Sequence, residues 1–245
     1  MALLLILWTV DSFAESIGWT GISGSSPSNL FVVGEYGAIS HFDGKKWTTV
    51  KTGSRVWLSS VITFSPGSAY AAGYNGQILQ FNGKTWTAME TGLTNDLNGI
   101  WGLSPSDLYA AGDRGTLLHF NGSQWTKIET GNQNLLFSVW GAAPDNVYAC
   151  GGRSTLLHYD GNAWSETALP VNGHFVGIWG SGPYNIFLAG DEGVILHFDG
   201  KAWSPMESGV KEILRSLWGS SGENIYGVGD DGLILHFDGK AWSRE

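Results

Sequence analysis

A 14-residue stretch recurs along this chain at a fixed interval. It reads GDDGLILHFDGKAW from Gly229 to Trp242 and GDEGVILHFDGKAW from Gly190 to Trp203, which is 39 residues earlier. Looser copies keep the same interval, with no insertion or deletion, and end at Trp47, Trp86, Trp125 and Trp164. A period of this length is typical of architectures in which each repeat is one supersecondary unit and neighbouring units share a core.

One copy divides into four short strand-like pieces. They are residues 214–219, 225–229 and 233–237, and a last piece that begins near Trp242. The first connection carries Pro in the other five copies, which marks a loop because Pro has no N–H to donate. Asp-Gly or Asn-Gly follows the third piece in every copy, and this pair predicts a type I′ hairpin in which both residues have positive φ.

Four strands in hairpin order, repeated six times, predict an all-β fold: a six-bladed β-propeller with four antiparallel strands per blade over residues 17–245. Apolar residues never recur at a spacing of 3.6 over ten residues, so no helix longer than one or two turns is expected. Six copies also predict a closed ring, because closure hides sheet edges that an open array exposes.

Residues 1–16 stand outside the repeat, and two interpretations of them remain open. The apolar run at 3–10 is too short to span a membrane and is similar to the h-region of a secretory signal, with small residues where a signal peptidase reads. That interpretation predicts a secreted or periplasmic protein. Alternatively, Trp8 falls in phase with Trp47, and the segment is the last strand of a preceding blade. The second interpretation leaves a seven-bladed parent open.

Composition limits the partners. The net charge is −9, and the 13 Lys and Arg residues are scattered along the chain. Binding to a nucleic acid backbone needs a clustered basic face, so nucleic acid is not an expected partner. No cofactor motif is present, and the oligomeric state is left open. Cys150 occupies a slot that holds Ala or Val in the other copies, which predicts a small buried residue.

Three repeated side chains are predicted to be structural. The Trp that closes each copy is expected to fill the space between adjacent sheets. A second Trp set on the innermost strand is also assigned to packing. Histidine fills one slot in five copies, with Gln80 in the sixth, and is predicted to hydrogen-bond to a neighbouring strand or turn rather than to bind a metal. The members of these sets are Trp47, Trp86, Trp125, Trp164, Trp203 and Trp242; Trp101, Trp140, Trp179 and Trp218; and His41, His119, His158, His197 and His236.

The turn DGKAW resembles the Asp-box of bacterial neuraminidase repeats, with a spacing one residue shorter. In that family the box is structural, so the resemblance carries over no catalytic residue. More widely, LWGSSGENIYGVGDDGLILHFDGKAW is similar to the Trp- and Gly-rich repeats of secreted bacterial propellers related to the photosystem II assembly factor family. This resemblance covers residues 17–245 and implies a propeller fold, with a role as a scaffold or assembly factor as one expectation.

Positions that break the repeat are free to serve a ligand. The loops that link one copy to the next, and the inner turns between the second and third strands, vary most and are expected on one face of a propeller. We call this the variable-loop face. Rigid scaffolds usually carry function on such loops. The predicted ligand-binding residues there are Tyr36, Trp57, Tyr74, Arg114, Arg153 and His174.

The two arginines are the most informative of these residues. Arg114 and Arg153 share one slot on neighbouring copies of an acidic protein. Since a guanidinium binds planar anions through two hydrogen bonds, we expect the pair to bind a carboxylate on an acidic sugar or on an Asp or Glu of a partner. The alternative is that each arginine pairs with a neighbour such as Asp113 or Asp191.

Three functions fit this pattern. The favoured one is a non-catalytic binding module that recognises a glycan or a protein partner, because aromatic faces stack on ligands and amides give directional hydrogen bonds. The second is a scaffold for a larger complex. The third, a glycosidase- or lyase-like enzyme, needs an opposed pair of carboxylates, and the acidic turn residues fit ordinary Asp-Gly turns. No GxSxG, HExxH or P-loop motif is present, so we predict no catalytic residues, no metal site and no cofactor.

Overall fold

A computed structural model describes residues 17–245 and shows six four-stranded sheets, each following chain order. Blades 1 to 6 are therefore β1–β4, β5–β8, β9–β12, β13–β16, β17–β20 and β21–β24. The innermost strands are β1 Trp19–Ser26, β5 Leu58–Ser65, β9 Leu97–Ser104, β13 Leu136–Ala143, β17 Phe175–Gly182 and β21 Leu214–Ser221. The second strands are β2 Asn29–Gly34, β6 Ser68–Gly73, β10 Asp107–Gly112, β14 Asn146–Gly151, β18 Asn185–Gly190 and β22 Asn224–Gly229.

The outer half of each blade is shorter. The third strands are β3 Ile39–Phe42, β7 Ile78–Phe81, β11 Leu117–Phe120, β15 Leu156–Tyr159, β19 Ile195–Phe198 and β23 Ile234–Phe237. The fourth strands are β4 Trp47–Val50, β8 Trp86–Met89, β12 Trp125–Lys127, β16 Trp164–Glu166, β20 Trp203–Met206 and β24 Trp242–Arg244. Every pairing is antiparallel. The predicted all-β, six-bladed propeller is confirmed, and β24 completes its own blade.

The core lies between blades, and the closing Trp of each copy helps to fill it. Trp86 of blade 2 meets Phe31 of blade 1 edge-on, with ring centroids 5.4 Å apart. Trp164 meets Tyr109 of the preceding blade in the same way at 6.1 Å. The predicted packing role of this Trp set is therefore confirmed. Because each blade covers its predecessor, the repeat supplies a continuous apolar interior.

Blade-to-blade packing runs in sequence from β1 on β5 to β17 on β21. Among residues 17–245, no comparable packing joins β21 to β1. Apolar side chains at these two ends are exposed, as Ile22 and Trp218 show. The expected closure of the ring between blades 6 and 1 is therefore not found in the described part of the chain. Repeat number alone does not set the angle between blades, so counting copies did not show that β21 and β1 stay apart in the described residues.

The Asp-Gly hairpins differ from the predicted type I′ geometry. Gly44 has φ +89°, but Asp43 is not among the residues with positive φ. Four residues separate β3 from β4, and the Asp43 carboxylate accepts hydrogen bonds from the backbone N–H groups of Lys45 and Lys46, both at 2.9 Å. The side chain therefore shapes the turn, and the type I′ prediction for this pair was wrong because the connection is longer than two residues.

Two further predictions concern single features. Cys150 is fully buried, as expected, and its burial raises the pKa of the thiol to about 12. Residues 17–245 contain no helix with the length and hydrophobicity that a membrane crossing requires. The signal and extra-strand interpretations of residues 1–16 lie outside the described residues, and export remains an expectation.

Candidate functional site

The inner turns between second and third strands have left-handed backbone. In blade 3, Arg114 has φ +55° and ψ +39°, and Gly115 has φ +66°. Two consecutive residues with positive φ make this the type I′ turn of the blade. The second position is Gly in five blades, and in four of them the next linking loop lies against it: a Cβ added to Gly115 would lie 2.0 Å from Asn132 O.

Blade 4 breaks this rule. Its inner turn is Gly152-Arg153-Ser154, with Ser154 in the slot that holds Gly elsewhere. Arg153 and Ser154 have φ of +55° and +60°. Left-handed backbone costs a residue with a Cβ roughly 1–2 kcal/mol, and such strain tends to persist at functional positions. Blade 4 carries two such residues in succession, which sets it apart from the other five blades.

The linking loop beside this turn also departs from the repeat. The other linking loops carry Thr-Gly or Ser-Gly, and the Thr52 hydroxyl donates to Gly37 O at 3.1 Å. Loop 168–174 has Leu169-Pro170 there instead. In blade 4 the Ser154 hydroxyl takes over as the link between turn and loop. The turn and the loop therefore change together at one place on the variable-loop face.

An open cavity of about 480 Å³ lies where turn and loop meet. Its lining residues are Arg153, Ser154, Asn172, Gly173 and His174. The Ser154 hydroxyl donates to Asn172 Oδ1 at 3.3 Å and accepts from Gly173 N at 3.1 Å. The cavity thus combines a guanidinium, an imidazole, a hydroxyl and an amide, which are groups that bind a carboxylate through hydrogen bonds and charge.

His174 lies over a position that has lost its side chain. Gly152 occupies a slot that holds Glu, Tyr or Asp in the other blades. A Cβ added to Gly152 would lie 3.5 Å from Nδ1 of His174, an ordinary van der Waals contact, so the ring lies directly beside the position from which the other inner turns extend a side chain. The imidazole is exposed to solvent and available to a ligand.

The predicted arginine pair is free of carboxylates. Within residues 17–245, neither Arg114 nor Arg153 has an Asp or Glu oxygen within 4.0 Å, whereas Arg215 pairs with Asp230 at 2.7 Å. Both guanidinium-bearing side chains are exposed. The alternative in which Asp113 or Asp191 neutralises them is therefore not observed. Only Arg153 of the two lines the cavity.

Trp57 and Tyr74 form a separate aromatic pair on the same face. Their rings are stacked with centroids 5.6 Å apart and an interplanar angle of 9°. Tyr74 N also donates to Trp57 O at 2.9 Å, which fixes the inner turn of blade 2 on its linking loop. Each ring has used one face on its neighbour, so the pair offers less flat surface than two free rings. Tyr36 stands apart, largely exposed on blade 1.

The structure therefore divides the six predicted residues into groups. Arg153 and His174 share the cavity, Trp57 and Tyr74 share a stack, and Arg114 and Tyr36 belong to neither arrangement. Sequence reasoning did not include Ser154, Asn172 and Gly173. Their signal was present as the replacement of Gly by Ser in one inner turn and of Thr-Gly by Leu-Pro in one linking loop.

The repeated histidines lie away from this face and have a structural role. His158 Nε2 donates to Asn146 Oδ1 at 2.9 Å, and His197 Nε2 donates to Asn185 Oδ1 at 2.6 Å. In blade 2, Gln80 Nε2 donates to the Tyr70 hydroxyl at 2.9 Å. The predicted hydrogen bond to a neighbouring strand is confirmed. No group of three or more potential metal ligands occurs among residues 17–245.

The pKa values of several carboxyl groups are lowered, whereas a general acid needs a raised pKa. Backbone N–H groups in the Asp-Gly hairpins lower the pKa of four aspartates, and the Arg215 guanidinium lowers the pKa of Asp230. Glycoside hydrolysis uses one carboxyl group with a raised pKa. The four hairpin aspartates are Asp43, Asp160, Asp199 and Asp238.

Together these features define a β-propeller with a loop-built face on which Arg153 and His174 line an open cavity. No protein-family model matches the chain, and no curated protein matches it in sequence. Among solved structures it is similar to YCF48 bound to D1 peptide, with a TM-score of 0.76 and 20% identity over 94% of this chain and 80% of that one.

Two other solved structures are similar. YCF48 from Cyanidioschyzon merolae gives a TM-score of 0.73 and 15% identity over 94% of this chain and 85% of that one. The RRP9 WD40 repeats give a TM-score of 0.76 and 12% identity over 95% of this chain and 81% of that one. YCF48 is a photosystem II assembly factor, so the expected similarity to such propellers is confirmed as a similarity of fold. The Asp-box resemblance and the secreted, bacterial character remain predictions.

Proposed function

We propose that this protein is a non-catalytic binding propeller that recognises an acidic segment of a protein partner through the cavity of blade 4. The observation that carries the proposal is the coordinated change of inner turn and linking loop at this place. Two residues of the turn, Gly152 and Ser154, and two of the loop, Leu169 and Pro170, depart from the repeat, and an open cavity lies where turn and loop meet.

The chemistry of the cavity supports an acidic ligand. Arg153 is exposed, has no carboxylate neighbour in the described residues and lies beside His174 in a protein of net charge −9. A guanidinium without a partner attracts carboxylates, and an acidic surface around it disfavours binding elsewhere. Arg114, in the matching slot of blade 3, adds a second cation for a ligand that extends along the face.

A protein ligand is favoured over a glycan. Glycan binding draws on free aromatic faces, whereas Trp57 and Tyr74 stack on each other. One of the similar propellers was solved with a bound peptide, which supports a peptide ligand here as a proposal. A role as scaffold for a larger complex uses the same face and differs only in how many partners the propeller holds.

The experiment is a binding screen of the purified full chain against arrays of acidic, neutral and basic peptides and of acidic and neutral glycans. Acidic peptides should bind. For a peptide found in this way, Arg153→Ala should weaken affinity at least tenfold, or about 1.4 kcal/mol, with the Tm unchanged. Glu192→Ala is the matched control, because Glu192 occupies the Arg153 slot in blade 5.

Three results would contradict the proposal. Binding of glycans alone would show that the ligand is a carbohydrate and not an acidic peptide. Equal affinity of the wild type and the Arg114→Ala, Arg153→Ala double variant would place the site elsewhere. Turnover of any bound sugar or peptide would overturn the non-catalytic assignment.

A further inference from the structure

In blades 3 and 4, a pair of polar side chains fastens the linking loop to the blade that it enters. Asn95 donates from Nδ2 to the Thr116 hydroxyl at 2.8 Å in blade 3, and Asn134 donates to Thr155 at 2.9 Å in blade 4. The two threonines are at most 1% exposed. The asparagine side chain therefore lies against a threonine that is fully covered.

Both members of this pair are replaced in blade 5. Gly173 stands in the asparagine slot, and Val194 stands in the threonine slot. Valine has nearly the shape of threonine, with a methyl group in place of the hydroxyl, and Val194 is only half-buried. The hydrogen-bond donor and its acceptor are thus lost together, and part of an apolar side chain is left uncovered.

Gly173 is the residue without a side chain in its slot. The other copies carry Ile17, Val56, Asn95, Asn134 and Glu212. Gly173 is not among the glycines with positive φ, and a Cβ added to it would meet only Val194 Cγ1, at 4.0 Å. Neither the backbone conformation nor a steric conflict requires glycine here, so the fold does not force the space over Val194 to be open.

The uncovered valine adjoins the candidate site. Gly173 lines the cavity together with Arg153, and it places no side chain between the cavity and Val194. Two residues of the same linking loop, Leu169 and Val171, pack with Val194 against the core of blades 4 and 5. An apolar surface therefore continues the cavity on the side of blade 5.

We propose that the surface at Gly173 and Val194 is a second subsite of the cavity, which binds a small aliphatic side chain of the same acidic peptide. This inference rests on the proposed function and specifies its ligand, as a segment in which a residue such as valine lies close to the Asp or Glu that Arg153 binds. The size follows from blades 3 and 4, where an asparagine side chain occupies the equivalent space. The chemistry follows from Val194, whose side chain offers no hydrogen bond, so that a polar occupant would be buried without a partner.

The probes for the test are the acidic array peptides that bind. They are resynthesised with Val, Asn or Gly at each position within two residues of an Asp or Glu, and their affinities for the full chain are measured by calorimetry. At one of these positions Val should bind about tenfold more tightly than Asn or Gly, because burial of its side chain adds apolar contact.

A double variant tests which residues form the subsite. Gly173→Asn with Val194→Thr restores the pair of blades 3 and 4, and the preference for Val should disappear while the affinity of the Gly peptide stays unchanged. Arg153→Ala should weaken the Val and Gly peptides by the same factor and keep the preference. An unchanged Tm shows that the double variant folds. If it does not fold, Val194→Thr alone changes a half-buried side chain without changing its shape and should reduce the preference.

The outcomes separate this inference from the proposed function. Equal affinity for the Val and Gly peptides at every position would overturn the aliphatic subsite and leave the acidic ligand standing. Failure of every acidic peptide to bind would overturn both. A preference for Val that survives in the folded double variant would place the aliphatic contact elsewhere on the variable-loop face and would overturn the assignment to Gly173 and Val194.

Discussion

The imidazole of His158 stacks on the phenol ring of Tyr148, with centroids 4.2 Å apart and an interplanar angle of 10°. The histidine on the third strand thereby covers the aromatic of the second strand, while its Nε2 bonds to Asn146 at the start of that strand. The same stack recurs for Phe187 and His197, at 4.5 Å. One side chain thus contributes both packing and a hydrogen bond to its blade.

Substitution of His158 should separate these two contributions. In blade 2, Gln80 bonds to the Tyr70 hydroxyl, and Tyr148 provides the same hydroxyl to a glutamine at 158. His158→Gln should therefore be tolerated. Both substitutions remove the donor to the Asn146 oxygen, but His158→Leu forms no replacement hydrogen bond and should cost about 1–3 kcal/mol, measured by denaturant unfolding.

Blade 5 supplies the control for that prediction. Phe187 has no hydroxyl, so a glutamine at 197 cannot copy the arrangement of blade 2. His197→Gln should lower the Tm more than His158→Gln. Equal Tm values for these two variants would show that the tyrosine hydroxyl has no role in tolerating glutamine.

Acid should destabilise the protein in two separate pH ranges. Burial lowers the pKa of His41, His158 and His197 below the usual 6.5, although a nearby aspartate in each blade opposes the shift. The unfolded chain then binds protons that the folded chain excludes, so stability falls as the pH drops through 6.5 and levels off below the folded pKa values.

The second range belongs to the hairpin aspartates. Their pKa values are lowered from 3.8 by backbone N–H donors, so their contribution is lost only as the pH falls below that value. Thermal melts from about pH 8 to about pH 3 should show both declines. Replacing the three histidines with glutamine should remove the first decline and leave the second, and a first decline that persists would assign it to other groups.

The Asp-Gly hairpins predict a graded effect of substitution. Asp199 accepts backbone hydrogen bonds from Lys201 and Ala202 at 2.9 and 3.0 Å, and Asn121 accepts the equivalent pair in blade 3. Asp199→Asn should therefore keep the Tm near that of the wild type. Asp199→Ala removes both acceptors and should lower it. A Tm for Asp199→Asn as low as that for Asp199→Ala would mean that charge, rather than the acceptor, holds the turn.

Much of the fold follows directly from the sequence, because each blade is a local unit and its strands, turns and inter-blade Trp recur at fixed positions. Closure between blades 1 and 6 was not predictable in this way, since it depends on angles summed over five interfaces. The type I′ turn was assigned to Asp-Gly, whereas it falls at positions such as Arg114-Gly115, because the Asp side chain shapes a longer connection. Within the candidate site, Arg153 and His174 were found as deviations from the repeat. Ser154 was missed because a Ser in a turn is unremarkable until the left-handed backbone of its slot is known.

Introducing Ser into other inner turns should show what blade 4 requires to carry it. Gly193 and Gly232 both have positive φ, at +68° and +74°. A Cβ on Gly193 would lie 2.2 Å from Val210 O, whereas a Cβ on Gly232 has no atom within 4 Å. Gly232→Ser should therefore carry only the backbone strain, about 1 kcal/mol.

Gly193→Ser should carry that strain together with a clash against the linking loop, which adds roughly 1–3 kcal/mol. Urea unfolding of the two variants separates the backbone strain from the clash, because both variants carry the strain and only Gly193→Ser carries the clash. Similar losses of stability would mean that the linking loop yields easily, and the open cavity of blade 4 would then not depend on its Leu169-Pro170 loop. A larger loss for Gly193→Ser would tie the cavity to the joint change of turn and loop that distinguishes blade 4.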